Sequence, residues 1–142
     1  MTRSPEQAAP GAPDAGRTRG RARLLHFLVR LPRPMEDAWP ALASAEGLAT
    51  WLTPAALEPR LGGAVRLHGL GAGRITAWDV DRVAEYTLDN PARLRFHLER
   101  DGDHASVLRF TLECDAENAS EAAWRDRFEH LIDTLEHEPG VP

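Results

Sequence analysis

The stretch SEAAWRDRFEHLIDTLEH, Ser120 to His137, decides how the rest of the chain closes. Trp124, Phe128, Leu131, Ile132 and Leu135 fall at i, i+4, i+7, i+8 and i+11, the apolar stripe of an amphipathic helix. Glu121, Arg125, Glu129, Asp133 and Glu136 occupy the other side. Burying five such side chains is worth roughly 8–15 kcal/mol before ordering costs. A lone helix of this length is marginal in water, so it needs a surface to lie on. Asn118 or Ser120 can cap its start, with Glu121 completing a capping box from Asn118.

The segments upstream supply that surface. Leu94, Phe96 and Leu98 alternate with Arg93, Arg95, His97 and Glu99, and Leu108, Phe110 and Leu112 alternate with Val107, Arg109, Thr111 and Glu113. Both read as half-buried strands, joined by the hairpin signal Asp101-Gly102-Asp103. Ala64 to His68, Arg74 to Val80 and Val83 to Leu88 are three more, with Gly69, Gly71 and Gly73 punctuating one hairpin and Asp89-Asn90-Pro91 forming a later turn. Those glycines lack the spacing and the βαβ setting of a dinucleotide site. At the front, Leu25, Phe27, Val29 and Leu31 make one apolar face of a strand from Leu24 to Leu31, which Pro32 and Pro34 end. Met35, Ala38, Trp39 and Leu42 then follow helical spacing, with Pro40 expected to kink or shorten the helix. A second short helix runs from Ala45 to Leu52 and is closed by Thr53 and Pro54. The expectation is an α+β domain: a curved antiparallel sheet of about six strands, covered on one side by two short helices after the first strand and by the long C-terminal helix.

Composition bounds the function. The 142 residues suit one domain, with 42% hydrophobic and 27% charged residues as in ordinary globular proteins. Residues 1–22, rich in Ala, Pro, Gly and Arg, read as a disordered tail, 23–138 as the domain and 139–142 as a second tail. Arg17, Arg19, Arg21 and Arg23 form a short basic patch, but a net charge of −5 argues against nucleic acid or anionic lipid as a partner. No run is apolar and long enough to span a bilayer, and no apolar core of a signal peptide follows the N-terminal arginines. A single cysteine, Cys114, excludes an internal disulfide, so a cytoplasmic protein is expected.

Several motifs resemble one family in order and spacing. Ala38-Trp39-Pro40-Ala41-Leu42 with Leu48-Ala49-Thr50-Trp51-Leu52, Leu61-Gly62-Gly63-Ala64-Val65-Arg66-Leu67, Gly73-Arg74-Ile75-Thr76-Ala77-Trp78-Asp79 with Val83-Ala84-Glu85-Tyr86-Thr87, and Ala122-Ala123-Trp124 with Leu131 and Leu135 carry the likeness. Together they resemble bacterial relatives of the activator of the Hsp90 ATPase (AHSA1-like), within the START/Bet v 1-like (SRPBCC) helix-grip superfamily. The resemblance spans about Leu24 to Glu138 and departs at Asp81, where the family often has proline, and at Ala123, where it often has glycine. It implies a helix-grip fold with an internal cavity, in a family that includes lipid and polyketide binders, cyclases and a co-chaperone. Fold alone does not choose among them.

The residues must therefore be weighed individually. His26, His68 and His97 lie on strands and His104 follows a turn, but they are scattered rather than closely paired, so neither a metal nor any other cofactor is expected. Glu85 and Tyr86 are adjacent in a strand and face opposite ways; Tyr86 points inward, as a core tyrosine bonded to a backbone carbonyl or as a cavity group, and Asp79 could assist it in acid–base work. Cys114 has no evident basic neighbour to activate it and reads as structural. No catalytic set stands out, so an enzyme is not favoured. The expected site is a pocket for a hydrophobic or aromatic small molecule between the last helix and the sheet, lined by Trp51, Trp78, Tyr86, Phe110, Trp124, Phe128 and Leu131, with Trp51 at its mouth and Trp124 mainly core. A protein-interaction module of the Hsp90 co-chaperone type, a cyclase- or dehydratase-like enzyme and a homodimer are the open alternatives.

Overall fold

The computed structural model describes residues 22–115 and 120–137. Strand β1 (Ala22–Leu31) is followed by α1 (Met35–Ala43) and α2 (Ala45–Trp51). Strands β2 (Ala55–Leu57), β3 (Ala64–Leu67), β4 (Gly71–Asp79), β5 (Val83–Leu88), β6 (Arg93–Asp101) and β7 (Ala105–Asp115) come next, and α3 (Glu121–Glu136) closes the chain. All strands join one antiparallel sheet in the order β1-β7-β6-β5-β4-β3-β2, so the first strand is carried to the edge beside the last. The sheet has seven strands where about six were expected. The extra one, β2, is Ala-Ala-Leu, too short and too weak in strand preference to show alternation; its pairing with β3 makes it a strand. The expected tails lie outside the described residues, apart from Ala22, which opens β1.

Alternation translates directly into sidedness. On β6, Leu94, Phe96 and Leu98 are buried while Arg93 and Arg95 are exposed, and on β7 Leu108, Phe110 and Leu112 point inward from the paired positions. The outward arginines pair with carboxylates, as in Arg95–Glu85 at 3.1 Å and Arg109–Glu99 at 2.9 Å. Such half-exposed pairs contribute about 0–1 kcal/mol each, so the inner face carries the stability. A bulge between Ile75 and Ala77 interrupts the β4–β5 register and bends that strand, helping the sheet curve around its cover.

Pro40 lies inside α1, which is only nine residues long and passes through an extended Ser44 straight into α2. Ser44 serves both helices: its hydroxyl donates to the Pro40 carbonyl at 2.7 Å and accepts from the Gly47 N–H at 2.9 Å. Helix α1 packs on β6 and β7, α2 on α3, and α3 on β1. Trp124, Phe128, Leu131 and Leu135 of α3 are buried as their spacing requires, and Ile132 flanks the stripe half-buried. Ser120 caps α3 by accepting from the Ala123 N–H at 3.1 Å, while Asn118 lies outside the described residues. No helix among the described residues is long and apolar enough to cross a membrane.

Candidate functional site

The space beneath the middle of α3 is filled by aromatic rings. Phe128 sits 5.1 Å from Phe110, 5.2 Å from Phe27 and 5.5 Å from Trp51, stacked on the last at 30°. Phe110 continues to Phe96 at 4.9 Å, and Phe96 to Tyr86 at 5.9 Å. Ring centroids 4.5–7 Å apart are in contact, so this row is a close-packed core. The expected hollow along the helix is therefore corrected: side chains from α2, α3 and four strands meet there and close it.

Tyr86 is wholly buried, and its hydroxyl donates to the Leu42 carbonyl at 2.6 Å. Burial pushes its phenol well above the ordinary range, which removes it as an acid or base near neutrality. Trp51 is also a correction. Far from lining a mouth, it is 5% exposed, and its indole N–H donates to the Ala41 carbonyl at 2.8 Å. Leu131 is buried in the same core. Trp78 is half-buried and lies edge-on to Trp39 at 5.2 Å, away from the row under α3.

Open volume survives at the N-terminal end of α3. A half-open cleft of about 370 Å³ separates the first turns of that helix from the ends of β5, β6 and β7. Leu88, Leu94, Leu112 and Trp124, each at most 3% exposed, give it an apolar floor, and Leu70 and Ala92 enter from two turns. Asn90, Cys114, Asp115, Ser120 and Arg127 supply its polar groups. This cleft is more enclosed than the depressions beside β3, beside α2 and on the outer face of the sheet. Of the seven residues expected at the site, Trp124 is in its wall. Leu88, Leu94 and Leu112 were legible as inward strand positions, but nothing in their spacing showed that they border an unfilled end.

The polar groups differ in availability. The Asn90 amide is used twice in its turn, donating to the Leu70 carbonyl at 2.7 Å and accepting from the Ala92 N–H at 2.8 Å. Burial and then the Asp115 charge hold the Cys114 thiol above its ordinary range, outweighing Arg23, a basic neighbour remote in sequence that the β1–β7 ladder brings opposite it. The guanidinium of Arg127 lies over the Trp124 ring at 4.7 Å, half-buried, and burial pulls its pKa down from the ordinary value. A guanidinium nonetheless stays cationic at neutral pH.

The histidines do not converge. His26 and His97 share a shallow depression on the outer face with Arg95 and Arg109, while His68 and His104 are exposed elsewhere. Among the described residues, the trio Asp133, Glu136 and His137 comes within metal-ligand distance of one another, fully exposed on the last turn of α3.

Comparison with solved structures agrees with the architecture. CalU16 from Micromonospora echinospora superposes with a TM-score of 0.70 at 19% identity, covering 86% of this chain and 80% of that one. The Aha1 dimer from Colwellia psychrerythraea gives 0.63 at 18% identity, covering 83% and 99%. An AHSA1-like protein from Aeromonas hydrophila gives 0.61 at 11% identity, covering 79% and 92%. No protein-family model matches the sequence, and no curated protein matches it. The fold is thus a helix grip: a curved antiparallel sheet closed around a long C-terminal helix. The AHSA1-like and Aha1 structures share that fold with this chain.

Proposed function

We propose that this chain is a binding protein for a small apolar or aromatic molecule, held in the cleft between the start of α3 and the ends of β5–β7. The observation that carries the reading is the cleft itself, a half-open volume floored by buried leucines and Trp124 and opening between polar groups. Its volume of about 370 Å³ falls within the roughly 300–1,000 Å³ usual for small-molecule sites. Trp124 is then the aromatic contact, and Trp51, Tyr86, Phe110, Phe128 and Leu131 form the rigid wall behind it. Trp78 takes no part in this cleft. No reaction is assigned, because Tyr86 and Cys114 are both held in their neutral forms. The test is a thermal-shift panel of neutral and charged aromatic compounds, together with native mass spectrometry for a co-purified molecule. Ala123→Trp, which places a large ring in the cleft from an exposed helix position, should abolish any shift without lowering the melting temperature of the free protein. A shift that persists in Ala123→Trp would remove the cleft as the site.

A second reading, a protein-interaction module, is favoured by Leu24 and Leu28, which are 51% and 66% exposed on one face of the edge strand β1. A homodimer through that strand is its simplest form. Sedimentation that becomes concentration-dependent, and reverts in Leu28→Glu, would support it; acceleration of a bacterial Hsp90 ATPase would instead favour the co-chaperone role.

A further inference from the structure

Arg127 is a cation that forms no ion pair with any described residue, in a cleft whose base is apolar. Among the described residues no carboxylate lies within ion-pairing distance of it, although exposed arginines elsewhere on the molecule find partners, as Arg30 does with Asp101 at 2.8 Å. Arg127 lies over the Trp124 ring, with the guanidinium carbon 4.7 Å from the ring centroid. That contact uses none of its N–H donors, and no described residue accepts a hydrogen bond from them. A half-buried guanidinium at this wall matches the two oxygens of a carboxylate, and partial removal from water strengthens such a pair.

Resting on the cleft being a ligand site, we infer that its ligand is an aryl or acyl carboxylate, with the carboxylate on Arg127 and the apolar body over Trp124, Leu94 and Leu112. Asp115, the one carboxylate in the described wall, disfavours a second negative charge, so a monoanion suits the site better than a phosphate monoester. The Ser120 oxygen accepts in the helix cap, and its hydroxyl proton donates to no described residue. Asn90 is already engaged in its turn and adds nothing to the head group. Cys114 stays a neutral thiol and adds polarizable, weakly polar lining.

Two probes of nearly identical shape separate charge from fit: 2-naphthoate and 2-naphthamide, titrated calorimetrically into the full chain. The unsubstituted protein should bind the naphthoate about tenfold or more tightly than the amide, as expected for a charge-assisted pair. Arg127→Gln should bring the two affinities together by weakening the naphthoate alone. Arg127→Lys, which keeps the charge but not the flat fork, should retain part of the preference and covers the case of a Gln variant that fails to fold. Equal binding of both probes by the unsubstituted protein, or a preference that survives Arg127→Gln, overturns the inference while leaving the cleft as a neutral-ligand site. Binding of neither probe overturns both readings.

Discussion

The hydroxyl of Tyr86 on β5 donates to the carbonyl of Leu42 at the end of α1 across 2.6 Å, in a region sealed from solvent. The last carbonyls of a helix have no partner within it. Here two aromatic side chains from elsewhere supply partners, Tyr86 for Leu42 and Trp51 for the adjacent Ala41. The end of α1 is thus capped from inside the core, which fixes the short helices against the sheet and leaves α3 a defined surface.

Tyr86→Phe should therefore destabilise the protein by about 1–3 kcal/mol, because it strands a buried carbonyl while preserving the ring. Urea unfolding checks this, with an unchanged denaturant slope expected. A change within error would mean that the Leu42 carbonyl finds another donor.

The same group sets an alkaline limit. Burial raises the phenol of Tyr86, so above its unfolded value of about 10 the unfolded chain gives up a proton that the folded chain keeps. Stability from this source is complete below that pH and falls as pH rises through the window above it. The chain has one tyrosine and no lysine, which makes the signal clean. Tyrosinate absorbance should appear together with loss of tryptophan emission in one cooperative step, and Tyr86→Phe should shift that unfolding step to higher pH relative to its own neutral stability.

Gly73→Ala tests the sheet. A methyl group at Gly73 would strike the Thr87 carbonyl on the neighbouring strand β5. The strands must separate locally, costing about 1–3 kcal/mol or more. Exposed Gly62, where nothing lies near an added methyl, should show only the smaller cost of its left-handed backbone when changed to Ala. Comparison of the two melting temperatures checks the order.

Phe128→Ala should cost about 3–5 kcal/mol, because Phe128 touches Phe27, Trp51, Phe110 and Trp124 in a packed row. Chemical denaturation measures the loss. Small apolar gases or benzene should then bind the new void, separately from the cleft beside Arg127.

Much of the architecture could be read without coordinates because it depends on period. The alternation through β6 and β7 states which side chains face inward, and the i, i+4, i+7, i+11 spacing of Trp124, Phe128, Leu131 and Leu135 states which side of α3 meets them. These are local properties of a backbone with fixed pitch. The seventh strand escaped because three residues carry no period, and its existence depends on a hydrogen-bonding neighbour at the sheet edge. Of the candidate site, Trp124 and the inward leucines were legible as apolar positions, but not that they border an unfilled end.

What the chain determined by itself, then, was the inventory of faces: an apolar side for each strand and one stripe for the closing helix. Tertiary packing decided where those faces leave room. Six of the rings or leucines expected to line a pocket are packed or lie elsewhere, while Trp124 alone reaches the open end, beside an arginine that no sequence pattern singled out. The physical reason is that a side chain's direction follows from its own strand or helix, whereas a void is the difference between surfaces brought together from residues far apart in the chain.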